Sequence, residues 1–90
     1  MATGVTIKAF GPISSMLGAS EVNFPCEGQL EVRSLVERLG EVYPGLAKYM
    51  SQANSFEDHL LVVRGGQIVE ADAIVHPGDV LTMVTPIAGG

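Results

Sequence analysis

The fold is decided by residues 80–90, where the sequence runs Val80-Leu81-Thr82-Met83-Val84-Thr85-Pro86-Ile87-Ala88-Gly89-Gly90. The apolar first half is typical of a well-buried strand. Pro86 lacks the N–H that a sheet ladder needs, so it predicts where strand pairing stops. The two glycines carry no side chain, which lets a partner's backbone approach closely. We therefore predict a folded domain over residues 1–85 and a flexible tail over residues 86–90.

The length and composition of this tail indicate a chemical role for the C-terminus. When extended, it reaches roughly 16–18 Å, enough to place a carboxylate inside another protein's active site. We predict that the α-carboxylate of Gly90 is the reactive group and that residues 87–90 are poorly ordered without a partner. A cloning remnant or a loose end is the alternative explanation of the glycine pair. The residues predicted to thread into the partner are Pro86, Ile87, Ala88 and Gly89.

Composition limits the classes of function. The chain has 90 residues, 47% of them apolar and 17% charged, as one globular domain does. Phosphate backbones repel its net charge of −5, so we expect no nucleic acid partner and favour a protein with a basic docking face. No apolar run is long enough for a membrane span, and no signal peptide pattern opens the sequence. The single cysteine suits a reducing cytoplasm, where we expect the protein to act.

Periodicity predicts two strands and then a helix. Residues 5–10 and 21–26 each alternate apolar and polar side chains, which predicts an antiparallel pair with Pro25 at an edge. Residues 13–20 are expected to form a turn-rich connection. From Glu31, which is not a favoured helix cap, the apolar residues fall at helical spacing. The predicted apolar stripe comprises Val32, Leu35, Val36, Leu39, Val42 and Tyr43.

The second half of the sequence completes the predicted order. Pro44-Gly45 is expected to end the helix, and residues 46–56 to be irregular with at most one helical turn. Residues 60–63 predict a strand, and Gly65-Gly66 a tight hairpin turn before a short return strand. A turn over residues 76–79 leads into the final strand. This order indicates an α+β domain with one main helix packed on one face of a mixed sheet.

The second face of that sheet is predicted to bind a partner. One helix covers one face only, yet the final strand has apolar residues at both parities. We assign Leu81 and Met83 to the helix-covered side, so the opposite side should remain as an exposed apolar patch. The predicted partner-binding residues are Phe10, Ile68, Val80 and Val84.

Other chemically active residues have structural explanations. Cys26 shares the parity of a strand's apolar residues, which favours a buried thiol over a persulfide carrier. The side chains of Glu57-Asp58-His59 would point apart on an extended chain, so we expect a solvated turn and no metal site. His76, next to Pro77, fits a turn residue. We predict no bound cofactor.

Several motifs together resemble the β-grasp, ubiquitin-like sulfur carriers. They are Tyr43-Pro44-Gly45-Leu46 after the helix, Gly78-Asp79-Val80 before the last strand, and Ala88-Gly89-Gly90. The sequence is most similar to the MoaD type, the small subunit of molybdopterin synthase, and ThiS of the thiamine pathway is a relative. The chain departs from the family pattern at Arg64, where a Val-Asn-Gly turn is common, and before Pro86, where many members have a second proline.

The resemblance implies a carrier without an active site of its own. An activating enzyme would use ATP to adenylate the carboxylate of Gly90, and sulfur from a separate donor protein would displace AMP. The large subunit of molybdopterin synthase would then transfer that sulfur to a pterin precursor. The carrier only presents one atom in a fixed place. A carrier for another pathway, a ubiquitin-like protein modifier and a plain binding module remain as alternatives.

Overall fold

A mixed β-sheet with helices on one side organises the structure. The computed structural model describes residues 4–52 and 56–86. Its strands are β1 (Gly4–Ala9), β2 (Glu21–Pro25), β3 (Leu30–Glu31), β4 (Leu61–Arg64), β5 (Gln67–Val69), β6 (Ile74–Val75) and β7 (Val80–Val84). Its helices are α1 (Pro12–Leu17), α2 (Val32–Val42), α3 (Pro44–Ser51) and α4 (Phe56–His59).

The main sheet has five strands in the order β2-β1-β7-β4-β5. Strand β1 pairs antiparallel with β2 and parallel with β7, and the remaining pairs are antiparallel. The antiparallel pairing predicted for the first two strands is thus confirmed, and Pro25 lies on an edge strand, where its missing N–H breaks no ladder. The final strand β7 lies at the centre of the sheet, which holds the segment that precedes the tail.

Helix α2 packs on one face of this sheet and closes the core. Its residues Leu35 and Leu39 are fully buried and belong to the same apolar cluster as Ile7 of β1 and Leu81 of β7. Burial of each such side chain contributes about 1.5–3 kcal/mol. The α+β class with one main helix on one face is therefore confirmed.

The start of α2 is capped by backbone rather than by a side chain. Val32 N–H donates to the carbonyl of Ala73 at 2.9 Å, and Arg33 N–H donates to that of Ala71 at 2.8 Å. Glu31 makes no capping hydrogen bond through its side chain. The segment before β6 satisfies donors that would otherwise be unpaired. Strand β6, which follows this segment, pairs with the two-residue strand β3.

Helices α1 and α3 were not predicted at their full extent. Residues 13–20 were expected to be turn-rich, but α1 spans Pro12–Leu17, with Gly18 in the left-handed conformation at its C-cap. Residues 46–56 were expected to be irregular apart from a helical turn around residues 47–50, but α3 spans Pro44–Ser51 and buries Leu46. Both helices have proline in the first turn, where its missing N–H costs nothing. Pro44 does follow the end of α2, as predicted, but it also begins the next helix.

Val42 is the one wrong assignment on the apolar stripe. The sequence placed it in the core, whereas its side chain is 58% exposed. The last turn of α2 also packs against α3, through the buried Gly40. Val42 therefore points away from both packed surfaces.

Gly40 is predicted to be required by this helix contact. A Cβ at Gly40 would lie 3.0 Å from the Cβ of Ala47, closer than two carbon atoms pack. Gly40→Ala should therefore lower the free energy of unfolding by about 1 kcal/mol, although alanine favours a helix by about 1 kcal/mol. Urea denaturation of Gly40→Ala, Ala47→Gly and the double variant forms the test. The double variant should recover nearly wild-type stability, and a Gly40→Ala protein more stable than wild type would contradict the packing.

Within residues 4–52 and 56–86, no helix combines the length and the apolar character that crossing a membrane requires.

Candidate functional site

The final strand presents two different faces, as the sequence predicted. Leu81 and Met83 are fully buried beneath the helices, whereas Val80 on the other face is 47% exposed and Val84 is half-buried. Alternation along an extended strand requires this division. The assigned parity of β7 is therefore confirmed.

Neighbouring strands extend this exposed side of β7 into an apolar patch. Ile68 on β5 is 63% exposed, and Phe10, directly after β1, is 57% exposed. Because Ala9 is in register with Met83, Phe10 lies alongside Val84. We call this patch the open sheet face. Its apolar residues are Phe10, Leu61, Val63, Ile68, Val80 and Val84.

Leu61 and Val63 are members of this face that the sequence reasoning did not single out. Both are half-buried, Leu61 is in register with Val84, and Val63 is in register with Thr82 and with Ile68. The sequence did contain a signal for them, because β4 has apolar residues on both of its faces. Without the strand register, nothing showed which residues of β4 lie next to β7.

Strand β7 ends on the open sheet face, two residues before the predicted tail. Pairing of β7 ends at Val84, two positions before Pro86, which agrees with the predicted end of the ladder. Thr85 and Pro86 are half-buried. The predicted threading residues Ile87, Ala88 and Gly89 and the predicted reactive residue Gly90 lie outside the described residues.

The start of β7 is fixed by a polar cluster that the sequence reasoning missed. Arg64 Nη1 donates to the carboxylate of Asp79 at 3.1 Å and to the carbonyl of Ile74 at 2.7 Å. The backbone N–H of His76 donates to the same Asp79 oxygen at 3.0 Å. Pro77 and Gly78, with φ of 94° at the glycine, fit the middle of a type II turn. The cluster ties the turn before β7 to the β4–β5 hairpin, so the start of β7 is held.

The other polar and sulfur candidates have structural roles. The thiol of Cys26 is buried and donates to the Gly28 carbonyl at 3.3 Å, which confirms the predicted burial. His76 is a turn residue, also as predicted. Gly65 and Gly66 have φ of 61° and 81° and form the predicted hairpin turn.

The expected solvated turn around His59 is instead the short helix α4. In the part of the chain that the structure describes, no group of three potential ligands could hold a metal ion.

The sequence matches the model of the ThiS family over residues 7–90. Because this match covers nearly the whole chain, the protein belongs to the ThiS family. It has the ubiquitin-like fold of the MoaD- and ThiS-type sulfur carriers. No protein of curated function matches the sequence significantly.

Solved structures agree with this assignment. SAMP1 from Haloferax volcanii superimposes with a TM-score of 0.79 at 23% identity, over 97% of this chain and 99% of that one. A Pyrococcus furiosus protein assigned as molybdopterin converting factor subunit 1 gives a TM-score of 0.74 at 20% identity, over 96% and 100%. The small archaeal modifier protein 1 of Methanosarcina acetivorans gives 0.74 at 18% identity, over 100% and 99%. At these identities the likeness shows the fold, and the predicted β-grasp architecture is confirmed.

Proposed function

We propose that this protein is a sulfur carrier that delivers sulfur, as a thiocarboxylate on Gly90, for the synthesis of molybdopterin. Membership of the ThiS family supports a carrier, and the matched region includes Gly89 and Gly90. The likeness to the Pyrococcus furiosus subunit supports the molybdopterin pathway. The proposed partners of the present protein are an adenylating enzyme, which consumes ATP, a sulfur donor protein and a large synthase subunit.

The observation that carries the proposal is the double role of β7. This strand supplies Val80 and Val84 to the open sheet face and then leads directly into the tail. The distance between a partner bound to this face and the terminal carboxylate is therefore limited by the length of residues 86–90. Because both ends of β7 are held by the sheet and by the Arg64–Asp79 contact, docking fixes where the tail begins. Such positioning is the contribution that a carrier makes to catalysis.

The proposed chemistry has two steps on the carrier. The carboxylate of Gly90 attacks the α-phosphorus of ATP and expels pyrophosphate, which leaves a mixed anhydride with AMP. Hydrosulfide then attacks the carbonyl carbon, expels AMP and loses its proton to water, so that one oxygen of the carboxylate is replaced by sulfur. The activating partner supplies the donors that stabilise both steps.

A reconstituted reaction tests this function. We expect that incubation with the adenylating enzyme encoded in the same genome, ATP and a sulfide source raises the intact mass by roughly 16 Da. A label specific for thioacids should map to Gly90. Omission of ATP is the control and should prevent the shift. No mass change in a reaction that consumes ATP would contradict the proposed product.

A protein modifier is the second candidate, because two of the structural neighbours are small archaeal modifier proteins. In that role an amine of a target lysine, instead of sulfur, would displace AMP and form an isopeptide bond. Protein from its native cells would then appear in larger species that survive boiling with a reductant. Loss of these species when Gly90 is deleted, with no thiocarboxylate on the free protein, would favour this second function.

A further inference from the structure

Lys8 is an exposed cation beside the apolar residues of the open sheet face. It lies on β1, and its register partner on β7 is Thr82. Phe10, directly after β1, shares the parity of Lys8, and Val84 lies alongside Phe10. The side chain of Lys8 is exposed. Among the described residues, it is the one basic side chain whose strand parity places it on this face.

The charge of Lys8 is not neutralised within the described part of the chain. The ion pairs found there join Arg64 and His76 to Asp79, and neither involves Lys8. Glu21 is in register with Lys8 across the β1–β2 ladder, yet the two side chains form no ion pair within 4.0 Å. The ammonium group is therefore left for water or for a partner.

Binding at the open sheet face would remove that water. Neighbouring strands lie about 4.8 Å apart, so a partner that covers Phe10 and Val84 also covers the space above Lys8. The alkyl stem of a lysine can lie on apolar neighbours, but its ammonium costs several kcal/mol to bury without a counter-charge. A partner that is apolar throughout would therefore bind poorly.

We propose that Lys8 is a specificity-determining residue, which the adenylating partner recognises with a carboxylate set within an apolar surface. The inference rests on the proposed function, because it takes the open sheet face as the docking site. The chain as a whole has a net charge of −5, which favours a partner with basic residues around this surface. The expected partner surface is thus basic at the rim and acidic opposite Lys8, and few unrelated apolar surfaces match both requirements.

The test is ATP–pyrophosphate exchange by the adenylating enzyme of the same genome, measured as a function of carrier concentration. Lys8→Met keeps the length of the side chain and removes its charge, which would leave the partner's carboxylate buried and unpaired. We expect the KM for the carrier to rise about 30-fold or more, and kcat at saturating carrier to stay within about twofold because Gly90 is unchanged. Lys8→Glu should raise the KM further, and Lys8→Arg should recover most of the affinity.

Lys48→Met is the matched control, because Lys48 is exposed on α3, in the helical layer. It should change the KM less than about twofold. A KM for Lys8→Met within tenfold of wild type, or one no higher than that of Lys48→Met, would overturn the proposal. If the wild-type chain supports no exchange at all, the proposed function fails instead, so the two failures are distinguishable.

Discussion

A single residue added after Gly90 is expected to abolish thiocarboxylate formation. The extension moves the carboxylate about 3.5 Å further along the chain, and a misplacement of 1 Å can already cost about 100-fold in rate. Gly89→Phe should lower the rate by about 100-fold or more as well, since its ring would obstruct a channel shaped for glycine. Initial rates of the intact-mass shift measure both effects.

The controls for this prediction are stability and binding. The described core ends at Met83, and both changes lie beyond it. The thermal midpoints of both variants should therefore equal that of the wild type. The extended chain should still compete with the wild type for the adenylating enzyme, because the open sheet face is intact. A plain binding module would keep its affinity and show no mass shift in any variant. A mass shift on the extended chain, at the rate of the wild type, would contradict the assignment of Gly90.

Aspartate at two adjacent positions of β7 should have opposite consequences. Met83 is fully buried beneath the helices, and an unpaired carboxylate there should cost about 4 kcal/mol or more. This is a large part of the roughly 5–15 kcal/mol that stabilises a typical domain, so Met83→Asp should be largely unfolded. Val84 is half-buried on the open sheet face, and Val84→Asp should cost only about 1 kcal/mol.

Val84→Asp is the variant that tests binding, because Met83→Asp is expected to be largely unfolded. Val84→Asp should remain folded by circular dichroism but lose at least tenfold in affinity for the adenylating enzyme, which corresponds to about 1.4 kcal/mol. The lost affinity follows because the partner would have to cover a charge without a counter-ion. If Val84→Asp bound as tightly as wild type, the open sheet face would not be the docking site. If it unfolded the domain, Val84 would not face away from the core.

Local patterns in the sequence predicted the sheet and its two faces. Alternation along residues 5–10 and 80–84 placed Ile7, Leu81 and Met83 in the core and Val80 outside it, as observed. These residues lie in regular strands, where period and burial are directly linked. The glycine pair of the β4–β5 hairpin was equally clear, since few other residues adopt positive φ twice in succession.

Features that depend on distant residues could not be predicted in this way. The pairing of Arg64 with Asp79 and the capping of α2 by the carbonyls of Ala71 and Ala73 join segments far apart in the chain. The exposure of Val42 depends on how α3 packs beside α2. Only α1 and α3 had a local signal that was misjudged, because proline begins a helix as readily as it ends one.

Lys8 illustrates the same limit at the candidate site. As a polar residue in an alternating strand it fits any solvent-facing position, and the sequence gives no reason to single it out. The register with Thr82, and the position of Phe10 beside Val84, place it next to the apolar residues of the open sheet face. Its predicted role therefore depends on the tertiary structure.

The most direct test of the central claim is the intact mass of the protein purified from its own cells under conditions that preserve thioacids. The account predicts that a fraction of the molecules is heavier by roughly 16 Da and that a thioacid-specific label maps to the α-carboxyl group of Gly90. This fraction should disappear when the adenylating enzyme is deleted. A chain that carries an ordinary carboxylate at Gly90 in every molecule, whether or not that enzyme is present, would contradict the assignment as a sulfur carrier.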